Sequence, residues 1–322
     1  MEADTRYHPN TEQLALGSTI NDSLVELLPL SRLHASYQQE ESSTWASLKE
    51  IGVFGIGVSE ELGGSGLGAV EEALIVMGLG RRLASPGILA TIAAAHLLVG
   101  ANVQEYHGKR VAAAYRHGGR IILIDEPEAD LVLLRDGSGA ALHDARACTS
   151  KPVDDRLWLA ALREANRVGE PLARVDAARL TRLRLIDAAA LAGMAEAVLD
   201  MSVAYAGTRQ QFGRAIGSFQ AVKHHCANMA IAARCARDQT NFAAVAFDDG
   251  RADARLQVEC AFYVAGSAAL ENAGKNIQIH GGMGFSDEAD PHLFLKRAQL
   301  TIAIAGGLEA ANQRIANTRM DS

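Results

Sequence analysis

Cysteine is sparse in this chain: Cys148, Cys226, Cys235 and Cys260 are the only four in 322 residues, and no two form a Cys-x-x-Cys pair. Neither a disulfide framework nor a thiolate metal site has its usual spacing, so all four are expected as free thiols buried on apolar helix faces. The histidines are equally uncommitted. His224-His225 and His280 make no His-x-x-His or His-x-x-x-His pair, and no metal site is expected. Positive charge is also short, with 31 Lys and Arg against 38 Asp and Glu and a net charge of −7. That balance, with the basic residues interleaved among acids, removes the electrostatic footprint of a nucleic-acid binder. Long apolar runs are missing as well: Ile88 to Val99 and Ala243 to Phe247 fall short of the roughly 20 residues a membrane span requires. Met1-Glu-Ala-Asp-Thr-Arg lacks an apolar leader core, and a cytoplasmic protein without a membrane span is the expectation. The run Ser59-Glu-Glu-Leu-Gly-Gly-Ser-Gly-Leu-Gly68 has no clear strand before it and no Lys-Ser/Thr, so it reads as a turn between helices rather than a phosphate loop.

A hydrophobic content of 48% excludes disorder, and its periodicity divides the chain in three. From Thr11 to about Leu98 the spacing is helical, with Leu14, Ile20, Leu24, Leu27 and Leu28 on one segment, Trp45, Leu48, Ile51 and Val53 on the next, and a third helix starting near Ala69. Between Ala101 and Arg174 the apolar runs shorten: Val111 to Tyr115, Arg120 to Ile124, Leu131 to Leu134 and Leu157 to Leu162 alternate with Gly118-Gly119, Asp136-Gly-Ser-Gly139 and Lys151-Pro152. That is a small β region. Long helices return from Ala177, in stripes through Ile186, Ala190, Met194, Val198, Met201 and Tyr205, then Phe219, Val222, Cys226, Met229 and Ala233, then Leu256, Cys260, Tyr263 and Leu270. A last helix is expected from about Pro291 through Asn317. The Met and aromatic positions of these stripes read as core, and a four-helix bundle follows. The expected fold is mostly α, with a helical N-terminal domain (1–105), a shortened middle β domain (106–176) and a C-terminal four-helix bundle (177–322).

Two segments carry chemistry. In Tyr205-Ala-Gly-Thr-Arg-Gln-Gln-Phe-Gly-Arg-Ala-Ile-Gly-Ser-Phe-Gln220, Arg209 stands at a helix end in a connection that Gly213 and Gly217 make sharp. A guanidinium there offers paired donors to a diphosphate, or else caps the carbonyls of its own helix. In Gln278-Ile-His-Gly-Gly-Met-Gly-Phe285, Gly281 and Gly282 let a flat ring or a phosphate approach the backbone, and Gln278 adds a donor and an acceptor.

Together these segments resemble the C-terminal signature of the flavin-dependent acyl-CoA dehydrogenases. In that family Arg-x-x-Phe-Gly and Gln-x-x-Gly-Gly segments hold the adenine and pyrophosphate end of FAD across a subunit interface. The resemblance implies FAD as cofactor, with Arg209, Gln211, Phe212, Ile216, Phe219, Gln278, Gly281 and Gly282 contacting it. It extends more loosely to the N-terminal side, where the glycine turn precedes the acidic helix start Glu71-Glu72.

The chain departs from the family where the reaction takes place. Arg297 matches the arginine of the family's Arg-Asp-Ala, which puts Gly306, in Ala305-Gly306-Gly307-Leu308, at the catalytic glutamate of Tyr-Glu-Gly-Thr. Relatives with the base on the first bundle helix match near Leu183, which is apolar. No catalytic residue is therefore expected; Asp187 and Glu309 are the nearest carboxylates. Of the two flavin-ring motifs of the middle domain, only Asp125-Glu-Pro-Glu128 and Leu157-Trp-Leu159 stand in, incompletely. The pattern resembles the small, base-lacking subunit of the heteromeric α2β2 acyl-CoA dehydrogenases that actinobacteria use in steroid breakdown. This implies a larger catalytic partner that supplies the base, the acyl-CoA pocket and the ring contacts, and an electron-transfer flavoprotein as acceptor. Two other readings stand beside it: a self-sufficient homo-oligomeric enzyme using Asp187 or Glu309 as base, and a flavin-free helical scaffold.

Overall fold

The computed structural model describes residues 6–35, 42–97, 109–124, 128–136, 139–154 and 162–318. Among the described residues, the helices that come first are α1 (Thr11–Leu27), α2 (Arg32–Ala35), α3 (Ser42–Glu50), α4 (Ala69–Arg81) and α5 (Pro86–Ala95). α1 starts at a capping box, the Asn10 side chain accepting from the Gln13 N–H at 2.8 Å and the Gln13 side chain from the Asn10 N–H at 2.9 Å. Leu24 and Leu28 are fully buried, but Leu14 is exposed on the flank of the stripe, because α1 meets α4 through Gly17 against Leu74 and through Asn21. The glycine-rich run is the turn that was expected. Gly63 and Gly66 take positive φ, and the Asp248 carboxylate caps α4 by accepting from the Ala69 and Val70 N–H groups at 2.7 and 3.0 Å. A side chain occupies the helix N-terminus, where a phosphate loop would hold an anion.

Among its described residues the middle region forms seven strands, more than the four segments expected: β1 (Val111–His117), β2 (Arg120–Ile124), β3 (Leu131–Arg135), β4 (Ala140–Asp144), β5 (Thr149–Asp154), β6 (Leu162–Arg167) and β7 (Pro171–Arg174). They form one sheet in the order β5-β6-β2-β1-β3-β4-β7, antiparallel except for the parallel pair β1 and β3. Gly118 and Gly119 both have positive φ, as a tight hairpin between β1 and β2 requires. β5 and β7 are edge strands rich in Lys, Pro and Arg and carry little apolar alternation, which hid them in the sequence. Val111, Ala113, Leu131 and Leu133 pack toward the helices, while Ala112, Ala114 and Val132 form a small cluster on the other face. The segments around Asp125-Glu126-Pro127 and Leu157-Trp158-Leu159 lie outside the described residues.

The C-terminal helices are α6 (Ala177–Thr208), α7 (Gln220–Asp248), α8 (Ala254–His280), α9 (Pro291–Ile304) and α10 (Leu308–Asn317). From Leu183 to Glu196 every residue of α6 is buried, so α6 is the axis around which the other elements pack. Glycines bring backbones together there: a Cβ on Gly193 would lie 2.0 Å from the Met77 carbonyl oxygen, and one on Gly80 would lie 2.1 Å from that of Ala190. Three expectations need correction. The single last helix is two, because Gly306 and Gly307 adopt φ of +94° and +90°, outside helical geometry. The buried face of α8 runs through Val258, Phe262, Ala265, Ala269 and Ala273, leaving Leu256, Cys260 and Leu270 half-buried and Tyr263 exposed beside it. The four thiols are free, but Cys148, Cys226 and Cys260 are only half-buried and Cys235 is exposed.

Candidate functional site

Both chemical segments lie at one end of the bundle. α6 and α8 terminate there with Tyr205 stacked on His280, ring centroids 4.0 Å apart, and His280 also bonds the Asn276 carbonyl through Nδ1 at 2.8 Å. Behind this stack, Ser202 donates to the Asn276 side chain at 2.8 Å, and the Asn272 amide donates to the Ala195 and Met229 carbonyls, tying α6, α7 and α8 together. Arg209 follows Tyr205 by one helical turn and Gly281 follows His280 directly, so a rigid platform carries both.

Beyond Arg209 the chain makes a two-stranded hairpin, β8 (Gln210–Gln211) with β9 (Arg214–Ala215), closed by the Ile216 N–H to the Arg209 carbonyl at 2.8 Å. Phe212 and Gly213 both take positive φ at its tip. For a phenylalanine that conformation costs on the order of 1 kcal/mol or more, and the ring nevertheless stands 91% exposed, edge-on to Phe219. The Arg214 guanidinium covers the other ring at 4.1 Å. The Arg209 backbone N–H closes the last turn of α6 onto Tyr205, while its guanidinium is exposed and bonds no carbonyl of that terminus among the described residues. Gln211 and Gln278 are exposed, and Ile216 and Phe219 are half-buried. Positions 281 and 282 are open, since a Cβ on either glycine would meet nothing within 4 Å. α7 begins at the same end, and no side chain caps it, so its first N–H groups face outward. The Tyr205–His280 stack thus brings the two segments that contain the eight residues to the same end of the bundle.

An exposed guanidinium, a helix N-terminus without a side-chain cap and side-chain-free backbone are chemically suited to an anion and a flat ring, as the diphosphate and adenine end of FAD presents.

Where α5, the sheet, α6 and α9 meet there is a cavity of about 30 Å³, room for one water. Arg135, from the end of β3, holds Asp187 of α6 within it by a two-pronged contact, Nη1 to Oδ1 at 3.0 Å and Nη2 to Oδ2 at 2.6 Å. Burial pushes the Asp187 carboxyl up while Arg135 pulls it down, and the upward push prevails. Arg297, also buried, lines the cavity and donates to the Ala84 carbonyl at 2.7 Å. Leu183 is fully buried in the core, and Glu309 is exposed on α10, accepting from Gln313. A site for an acyl thioester or a flavin ring occupies about 300 Å³ or more.

Sequence reasoning missed the rest of the buried charge. Arg184 and Arg314 converge on Glu259, joining α6, α8 and α10, and burial pushes the Arg184 guanidinium down to about 10. Glu72 sits between His96 at 2.6 Å and Arg182 at 2.9 Å; burial alone would raise its carboxyl, and those two partners hold it below its ordinary range. Among the described residues no group of three His, Cys, Asp or Glu is placed to hold a metal, and no helix is long and apolar enough to cross a membrane.

Comparison with known proteins agrees with this architecture. The family described as acyl-CoA dehydrogenase, C-terminal domain, matches residues 173–320, and acyl-CoA dehydrogenase, N-terminal domain, matches residues 10–111. Acyl-CoA dehydrogenase IpdE2 of Mycobacterium tuberculosis is 32% identical over 82% of this chain and 82% of its own length. Acyl-CoA dehydrogenase FadE34 of the same organism is 32% identical over 84% of this chain, which spans only 42% of that longer protein. The ChsE4-ChsE5 complex from Mycobacterium tuberculosis superimposes with a TM-score of 0.76 at 24% identity, over 98% of this chain and 100% of the matched one. The chain belongs to the acyl-CoA dehydrogenase family, whose reaction oxidises a CH–CH bond and whose cofactor is FAD.

Proposed function

We propose that this chain is the non-catalytic subunit of a heteromeric acyl-CoA dehydrogenase and lends its bundle end to the FAD site of a larger partner. The chemistry supplied by bound FAD would be acceptance of hydride from the β-carbon of the acyl thioester. The guanidinium of Arg209 would hold the diphosphate, helped by Gln211, the Phe212 backbone and the first N–H groups of α7. Gly281 and Gly282 would admit the adenine, with Gln278 at its edge and Ile216 and Phe219 as the apolar floor. The partner would supply the base, the flavin-ring contacts and the acyl-CoA pocket. A steroid-derived acyl group as substrate and an electron-transfer flavoprotein as acceptor follow from the sequence resemblance.

The observation that carries this reading is a contrast among the described residues: the backbone at Gly281 and Gly282 is open, while the cavity between α5, the sheet, α6 and α9 is small and holds the Arg135–Asp187 pair. Glycine at the usual base position and a backbone break at the same place support it. That the ChsE4-ChsE5 structure is a complex of two named chains supports a heteromer. The test is co-expression with a larger acyl-CoA dehydrogenase, followed by a native mass and a flavin count. A dimer of heterodimers with one flavin per pair of chains is expected. One flavin for every copy of this chain, with no second polypeptide, would overturn the reading.

One observation favours the self-sufficient alternative: Asp187, unlike Glu309, lines the cavity. Turnover by the chain alone, lost on Asp187→Asn, would establish it.

A further inference from the structure

The walls of the central cavity are mostly small or apolar: Leu89, Ala90 and Ala93 from α5, Ala113 and Leu133 from the sheet, and Ile186 from α6. Alanines leave space between elements, and here two charged side chains fill it. An ion pair is a poor choice for stability at such a place, because desolvating both groups offsets most of their attraction and apolar side chains of equal volume would do as well or better. The pair is nonetheless well made, each guanidinium nitrogen facing its own carboxylate oxygen, with both side chains 7% exposed. The two also come from separate parts of the fold, Arg135 from the sheet and Asp187 from the bundle, so the contact forms only when both have docked.

We infer that Arg135 and Asp187 are an internal stopper, two side chains that together fill an alanine-walled space between α5, the sheet and α6 and keep an apolar ligand out of it, which deepens the proposed non-catalytic role. The stopper is a property of this chain's own fold and does not depend on a partner.

Xenon, an apolar probe of internal space, tests this in crystals of the protein in whatever assembly it purifies. The native protein and Arg135→Gln/Asp187→Asn, which keeps the shape and a hydrogen bond, should take up no xenon between α5 and α6. Arg135→Ala/Asp187→Ala should gain a xenon site there. Xenon in the native cavity, or none in the folded alanine pair, would overturn the stopper. If the alanine pair does not fold, Arg135→Met/Asp187→Leu replaces it: an apolar filling should fold, exclude xenon and leave kcat of the co-expressed complex unchanged, whereas a large loss of kcat would show that the charges serve the reaction. The native mass reads the assembly and xenon reads the cavity, so failure of the heteromer and failure of the stopper are separate outcomes.

Discussion

Replacing Arg209 by alanine separates cofactor binding from folding, because the structure gives the guanidinium no folding role. The side chain is exposed, the backbone N–H to Tyr205 and the carbonyl to Ile216 survive the change, and the Tyr205–His280 stack and the Ser202–Asn276 bond behind it are untouched. A substitution of that kind changes stability by at most about 0.5 kcal/mol, which keeps the shift in Tm to roughly 1–2 °C. Binding should respond very differently. A charge-assisted contact to a diphosphate contributes about 1.5–3 kcal/mol, and at about 1.4 kcal/mol per decade its loss weakens flavin retention roughly ten- to a hundredfold. Arg209→Lys should fall between, keeping the charge but losing the planar fork. The assay is flavin absorbance per protein in the purified complex, titrated back with FAD, beside a thermal melt. Unchanged flavin content in Arg209→Ala would refute the assignment, and an equal loss accompanied by a large drop in Tm would show that Arg209 acts through the fold.

Restoring a carboxylate by Gly306→Glu should not confer turnover on the isolated chain: φ is +94° there and +90° at Gly307, so the side chain costs about 1–3 kcal/mol and strains the turn that would have to aim it. Acyl-CoA oxidation by that variant alone would contradict this. Glu259→Leu leaves Arg184 and Arg314 buried without their shared carboxylate and should cost about 3–5 kcal/mol in urea unfolding, while replacing all three by apolar residues should recover most of it. Burial, with Lys296 adding to it, lowers the His292 pKa below its ordinary 6.5, so the unfolded chain takes up the proton first as pH falls. Its contribution to stability is full above about pH 6.5 and is lost on acidification below it, and His292→Leu should flatten that part of the Tm–pH curve.

What could be read from the sequence was whatever repeats with a period or sits at a helix end. The α6 and α7 stripes, the hairpin glycines and the Arg209 and Gly281-Gly282 termini are local patterns, and the structure gathers them where helix geometry requires. Edge strands β5 and β7 were hidden because their polar sequences need only backbone pairing to a neighbour. The α8 face was displaced because a run dense in alanine offers several stripes of equal hydrophobicity, and only packing against α6 selects among them. The buried ion pairs were missed for a different reason. Asp187 and Arg135 each stand as a single charge in an apolar run, Leu-Ile-Asp-Ala-Ala-Ala and Leu-Val-Leu-Leu-Arg, which signals a buried charge but not its partner. The pairing is a tertiary fact, 52 residues apart along the chain.

On the proposed reading, glycine at the base position and filling of the cavity belong together energetically. A chain that binds no acyl group has nothing to occupy an acyl-sized void of about 300 Å³. At about 24 cal/mol per Å³ an empty one costs about 7 kcal/mol, comparable to the whole stability of a domain. Filling it with Arg135 and Asp187 removes most of that penalty at the cost of desolvating two charges that then satisfy each other. No such pressure acts on the bundle end. An open surface costs little while water covers it, and Phe212 and Phe285, 91% and 74% exposed, are costly only in a chain that stays alone. On the proposed reading, a subunit relieved of chemistry but still needed for another subunit's cofactor should therefore lose its interior site first and keep its exterior one, and the small cavity and open bundle end described above accord with that order.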